Sequence, residues 1–223
     1  MDDASKRAKA AILGRIRRSL GPSRHDAAAI QQAAAALLAA PESRQPKFAG
    51  QSNRQRFIAR ATSERLTATV DEVADMTGAV AAVDAYLARS NLPRRVALPP
   101  MPRLVGLDWG GIEVHHDIAP NEAASVGMAD FGIAETGTLI FTSSPESPTL
   151  FNFLPLHHII LVEGANILRY MDDYWARVRA AGNIHPRNTN FITGTSGTAD
   201  IEAKNVRGAH GPRFMHVVIV GTD

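Results

Sequence analysis

The chain has 223 residues, 45% hydrophobic and 21% charged, which are the proportions of a folded domain with a core of its own. It contains no cysteine, which excludes disulfides, thiolate metal sites, cysteine nucleophiles and clusters ligated by cysteines of this chain. The formal net charge of +2 is unevenly placed: residues 1–66 hold 13 Lys and Arg against 5 Asp and Glu, and residues 67–223 hold 11 against 17.

The first residues lack the apolar core of a signal peptide. No run approaches the roughly 20 apolar residues of a membrane helix. A soluble, cytoplasmic protein with no membrane span is expected. The basic front has only two aromatics, Phe48 and Phe57, and no zinc-finger or base-stacking pattern. A protein-docking or solvated helical surface is therefore favoured over nucleic-acid binding.

In chain order, residues 4–20 predict a helix with Ala8, Ile12, Ile16 and Leu20 roughly on one face, stopped by Gly21-Pro22. Residues 26–40 predict an alanine-rich helix capped by Asp26. Such a helix has little side chain to bury. Residues 41–53, punctuated by Pro and Gly, read as a linker, so that 1–53 forms a helical arm and 54–223 an α/β domain. A helix is expected over 54–66 with Phe57, Ile58, Ala61 and Leu66 inward, a short strand near 68–73 and a helix over 76–90.

Strands are expected at 95–99, 103–106, 112–116, 138–143, 158–162, 190–193 and 215–220. Their apolar runs lack clean alternation, as in strands covered on both faces. A helix over 171–181, capped by Asp172 or Asp173, lies between two of them. Strands separated by helices imply a mostly parallel sheet under helices.

Two glycine loops could carry chemistry. In the first, Glu135, Thr136, Gly137 and Thr138 place a carboxylate, two hydroxyls and a flexible glycine beside a strand. A tight turn with a solvated glutamate is the plainer reading. In the second, Gly194, Thr195, Ser196, Gly197 and Thr198 follow a strand, and Ala199-Asp200 reads as the opening of a helix. Backbone N–H groups at such a turn attract anions, while an ordinary loop with a hydroxyl N-cap is the alternative. His210, in a Gly-Pro turn before the last strand, could stand beside the same ligand. The adjacent pairs His115-His116 and His157-His158 point to opposite faces of a strand and do not suggest a metal site.

Taken together, AETGTLIF (134–141), HIILVE (158–163), ITGTSGTADIE (192–202) and GAHGPRFMHVVIV (208–220) resemble the LUD domain family (DUF162), and within it the lactate utilization protein C (LutC/YkgG) branch. The resemblance implies a three-layer α/β/α fold of the NagB/RpiA/CoA-transferase-like type with an N-terminal helical arm. It implies a component of L-lactate oxidation to pyruvate that works beside cysteine-rich iron–sulfur partner proteins, with no cofactor in this chain.

The resemblance further implies that Thr136, Gly137, Thr138, Gly194, Thr195, Ser196, Gly197, Thr198, Asp200 and His210 face one pocket for a small anion. That pocket is expected at the carboxyl ends of the parallel strands, near a topological switch point. Analogy with CoA-transferase-like proteins offers Glu135 as a nucleophile. The family usually reads close to ITGPSRTADIE at the second loop; here Thr195 replaces the proline and Gly197 the basic residue. An independent isomerase or acyl-transferase acting on a phosphorylated or CoA-linked acid, and a non-catalytic scaffold, remain as alternatives. The sequence leaves open whether the chain is catalytic by itself.

Overall fold

The computed structural model describes residues 3–21, 26–40, 45–48, 50–199 and 205–221. They form two compact units, 1–47 and 48–223. In the first, helices α1 (Asp3–Leu20) and α2 (Ala27–Ala39) bury no residue. Asp26 caps α2, its carboxylate accepting the Ala28 N–H at 3.0 Å. Ile12, Leu20 and Leu38 remain exposed.

The larger unit begins at Phe48, inside the stretch read as a linker. Its ring is buried, with the guanidinium of Arg56 5.0 Å from the ring centroid, that of Arg169 at 4.6 Å, and the Tyr170 ring at 5.4 Å. Helix α3 (Asn53–Ala61) opens on a capping box in which Ser52 Oγ accepts the Gln55 N–H and Gln55 Oε1 accepts the Ser52 N–H. It ends at Ala61, short of the expected residue 66, because Ser63 to Thr67 turn back on themselves through Leu66 N–H to Ser63 O and Thr67 N–H to Ser63 O.

A six-stranded, wholly parallel sheet follows. Its strands are β1 (Thr69–Val73), β2 (Arg95–Ala97), β3 (Glu113–His115), β4 (Ala124–Met128), β7 (His157–Glu163) and β12 (Phe214–Val220), in the order β1-β12-β7-β4-β2-β3. Helix α4 (Met76–Arg89) covers one face, where Val83 and Leu87 meet Ile159, Leu161 and Val218. On the other face Phe57 and Ala61 of α3 meet Ile160, Val162, Val217 and Ile219. Both faces of β7 and β12 are therefore dry. This is why their sequences show no polar alternation, and each such buried aliphatic side chain contributes about 1.5–3 kcal/mol.

The expected mostly parallel sheet is thus present, but two of the strands assigned to it are not in it. A second sheet, ordered β8-β5-β6-β9, unites β5 (Phe131–Ile133), β6 (Thr138–Thr142), β8 (Ile167–Leu168) and β9 (Thr189–Ile192). The β5–β6 and β6–β9 pairs are antiparallel. Leu139 and Phe141 face the parallel sheet, while Ile133 and Ile140 face Tyr174 of helix α6 (Met171–Ala180). The result is three layers, with α4 on one side and α3, the small sheet and α6 on the other.

Two further expectations are corrected. Residues 103–106 are not a strand: Pro102 opens the short helix α5 (Pro102–Val105) at its first turn, where a missing N–H is harmless. Ala199 does not open a helix. It ends β10 (Gly197–Ala199), which pairs antiparallel with β11 (Asn205–Arg207), Gly197 facing Arg207 in the register.

Candidate functional site

The first glycine loop is the turn between β5 and β6, closed by Gly137 N–H to Ile133 O at 2.8 Å. Gly137 has φ +73°, and a Cβ there would lie 3.0 Å from Ala61 N, Arg60 Cβ and Leu66 Cδ1. Glycine is required both for the left-handed backbone and for the close approach of the end of α3. The half-buried Glu135 turns its carboxylate to the start of α6, where Oε2 lies 3.4 Å from Met171 N. A helix N-terminus favours negative charge there. Thr138 is buried, and its hydroxyl lies 2.7 Å from those of Thr136 and Thr193.

The second loop leaves β9 through Gly194 (φ +80°), where a Cβ would come within 2.8 Å of the Leu66 backbone. Thr195 N–H donates to Leu66 O at 3.1 Å, and its hydroxyl lies 2.9 Å from that of Thr67. Thr67 itself has φ +57°, an outlier for a β-branched residue. Ser196 then turns away: its N–H donates to Pro212 O, its carbonyl accepts from Gly208, and its Cβ would be 3.3 Å from a Cβ on Gly211.

The two loops therefore meet through Thr138 and Thr193 and share Leu66 as a neighbour. A cavity of about 560 Å³ opens beside them, lined by Arg60, Ser63, Arg65, Glu135, Thr136 and Thr193. Arg60 and Arg65 are exposed, and among the described residues neither has an ion-pair partner. Two free guanidinium groups, three hydroxyls and a carboxylate held elsewhere suit a small anion.

The later part of the second loop is not at this cavity. Gly197 and Thr198 lie in β10. His210 is exposed and lines a different cavity, of about 310 Å³, with Phe153, Pro155 and Gly208. Asp200 lies outside the described residues.

The position also differs from expectation. Thr67 and Leu66 precede β1, so the loops gather at the amino ends of the parallel strands. The topological switch point lies between β2 and β4, since β3, which follows β2, and β7, which follows β4 in this sheet, fall on opposite sides. At its carboxyl edge is another cavity, about 570 Å³, lined by Met101, Arg103, Met128, Asp130, Thr142 and Asn166. Neither glycine loop reaches it. The Asp130 carboxylate there is already engaged by the Thr142 N–H and hydroxyl at 2.6 and 2.7 Å.

One cluster escapes sequence reasoning altogether. His216, fully buried on β12, stacks on Tyr86 of α4 with centroids 4.4 Å apart and planes 10° from parallel. Its Nδ1 lies 2.8 Å from the Thr69 hydroxyl, and its Nε2 lies 3.3 Å from Asp71, which also takes Arg89 at 3.0 Å. The Tyr86 hydroxyl is 2.9 Å from His157 Nδ1, and the His157 ring stacks on Phe214 at 4.4 Å.

Burial pulls the His157 imidazole below its ordinary range and raises the Tyr86 phenol. It lowers His216 to about 4, although Asp71 opposes this. His158, on the opposite face, is lowered to about 3 by burial alone, and among the described residues neither ring nitrogen has a hydrogen-bond partner. Thr69 and His216 are 147 positions apart; only the pairing of the first and last parallel strands joins them, and no local motif could signal it. Among the described residues no three His, Cys, Asp or Glu side chains group to hold a metal ion, and no helix is long and apolar enough to cross a membrane.

Comparison with known proteins adds three findings. Residues 116–220, which contain both glycine loops, match the LUD domain family. A lactate utilization protein C from Geobacillus kaustophilus is 33% identical over 117 residues, covering 50% of this chain and 49% of that protein. Its counterpart from Bacillus licheniformis is 31% identical over 118 residues, covering 51% and 49%. The match thus spans about half the length of each relative. A DUF162 family protein from Deinococcus radiodurans has the same fold, with a TM-score of 0.57 at 21% identity over 77% of this chain and 99% of that one.

Proposed function

Residues 116–220 are a LUD domain, and from that premise we propose that the chain takes part in lactate utilization, as a subunit of a system that oxidises L-lactate to pyruvate. The observation that carries this is the similarity to several proteins named lactate utilization protein C, over a stretch that includes both glycine loops. Oxidation of lactate releases two electrons, which a chain of ordinary side chains cannot store. The chain has no cysteine, so iron–sulfur clusters would be held by cysteine-rich partner proteins.

In this reading the cavity between Arg60, Arg65, Ser63, Thr136 and Thr193 takes a small anion. Glu135, which lines the cavity, holds the β5–β6 turn against the start of α6.

The test is twofold. Deleting the gene should abolish growth on L-lactate and spare growth on pyruvate, and the tagged full chain should co-purify with cysteine-rich iron–sulfur proteins. Unimpaired growth on lactate would exclude the reading. The anion cavity is tested separately, by titrating inorganic phosphate and L-lactate into the full chain and into Arg60→Gln/Arg65→Gln. Loss of two charge-assisted contacts should weaken binding by about tenfold or more.

A further inference from the structure

We propose that the first unit is a docking element for the surface of an anionic lipid bilayer, with α1 lying in the plane of the interface and α2 adding uncharged apolar surface. The proposal stands apart from the lactate reading and from the anion cavity.

At 3.6 residues per turn, Ile12, Leu13, Ile16 and Leu20 of α1 occupy an arc of about 100°. All four are exposed, Leu20 by 78%. Cations border this stripe. Lys6 and Arg17 lie on one side and Arg15 on the other, Lys9 stands at its amino end, and Arg7 and Arg18 lie on the far face. Against these six cations the helix has one carboxylate, Asp3, which lies 3.7 Å from Arg7. Lys and Arg beside an apolar stripe can lay their stems along hydrocarbon while their charged ends reach headgroup phosphates.

Helix α2 carries no charge, and eleven of its thirteen residues are Ala, Ile or Leu. Ile30, Leu37 and Leu38 are exposed, and no residue of the helix is buried. A helix apolar nearly all round belongs in an apolar medium. Its thirteen residues reach about 20 Å, short of the roughly 30 Å of a bilayer core, so α2 adds to an interfacial hold and does not span.

The charge pattern selects the occupant. Residues 48–223 hold 15 Lys and Arg against 18 Asp and Glu, so attraction to an anionic surface is confined to the first unit. A second copy would set cation against cation around the stripe of α1, with only Asp3 on the helix to answer them. A protein groove is typically anchored by large aromatic side chains, and residues 1–47 contain no Phe, Trp or Tyr. A bilayer asks for neither shape nor paired charges: apolar area and positive charge on one helix suffice.

The experiment sediments the full chain with vesicles of phosphatidylcholine mixed with phosphatidylglycerol, and with vesicles of phosphatidylcholine alone. The chain should pellet with the first and stay in solution with the second, and about 0.5 M salt should release it. Arg15→Gln/Arg17→Gln/Arg18→Gln should weaken binding on the order of a hundredfold, at roughly fivefold for each charge. Ile12→Gln/Ile16→Gln keeps every charge and should also weaken binding on the order of a hundredfold, because two apolar side chains leave the interface. Both variants change only exposed positions, so the fold stays intact.

The proposal is overturned if the chain does not pellet with the anionic vesicles, or pellets equally with phosphatidylcholine alone. It is overturned if the isoleucine variant binds as well as the natural chain, since charge alone is then read, as by a nucleic acid or an acidic protein. A dimer in sedimentation velocity without lipid, lost in the isoleucine variant, would also overturn it, because a second copy then covers the stripe. Failure in these assays leaves the lactate reading intact, and growth on lactate does not bear on them.

Discussion

The hydroxyl of Thr138 lies 2.7 Å from that of Thr193, and this contact ties the turn after β5 to the loop that leaves β9. The two residues are 55 positions apart, yet through them the glycine loops behave as one structural unit. Several consequences can be measured.

Thr138→Val keeps the shape of a buried side chain and removes its hydroxyl. Thr136 and Thr193 each lose a partner, although both can turn toward the cavity and solvent. A loss of about 1–2 kcal/mol is expected in urea denaturation. Combined with Thr193→Val, the double-mutant cycle should show a coupling of about 1 kcal/mol; strict additivity would mean the contact carries no stability.

Gly137→Val places a β-branched residue at φ +73° and drives its Cβ to 3.0 Å from the backbone of α3. Backbone strain and overpacking together should cost about 3 kcal/mol or more. Gly182→Ala is the control: φ is +87°, but nothing lies within 4 Å of the added Cβ, so only about 1 kcal/mol should be lost. Equal losses at both sites would show that the approach of α3 is not what demands glycine.

Acid should unfold the protein through its buried histidines. His158 and His216 titrate in the folded state at about 3 and about 4, below the ordinary 6.5. Below pH 6.5 the unfolded chain therefore takes up protons that the folded chain refuses. The stability tied to the neutral rings is complete above about pH 6.5. It falls as pH drops toward 4, by roughly 1.4 kcal/mol per unit for each histidine. Urea midpoints measured from pH 7 to 5 should show this slope, and His158→Gln should remove about half of it.

Removal of residues 1–47 should leave the melting temperature within about 2 °C, since neither α1 nor α2 buries a residue. Scanning calorimetry of the shortened and full chains decides this. A larger fall at an unchanged oligomeric state would mean that the first unit stabilises the second.

The parts of this fold that the sequence announces are those whose signal is local. Asp26 and the apolar spacing mark the helices, and the runs at 158–162 and 215–220 mark strands covered on both faces. Strand β4 gives no such signal. Ala-Ser-Val-Gly-Met is small and partly polar, yet all five residues are buried, because Gly127 must admit His158 and Ser125 donates to Phe151 O. The hairpin of β10 and β11 is masked by Thr-Ala-Asp-Ile-Glu, whose local chemistry is that of a helix start. Of the site, the convergence of the glycine loops can be anticipated from their small residues. The Tyr86, His157 and His216 cluster cannot, since the pairing of β7 with β12 and the packing of α4 on the sheet assemble it.

That pairing also sets the order in which the molecule can be made. Among the described residues strand β1 pairs with β12 alone, and Val73 meets Val220 far along the chain. During synthesis residues 69–73 emerge before the other strands of this sheet and wait, without their partner, until the strands between them and β12 have been translated. The carboxylates of Asp71 and Glu72 sit on this waiting edge and discourage it from joining a strand of another chain. Until β12 is made, the sheet should therefore stay open along β1.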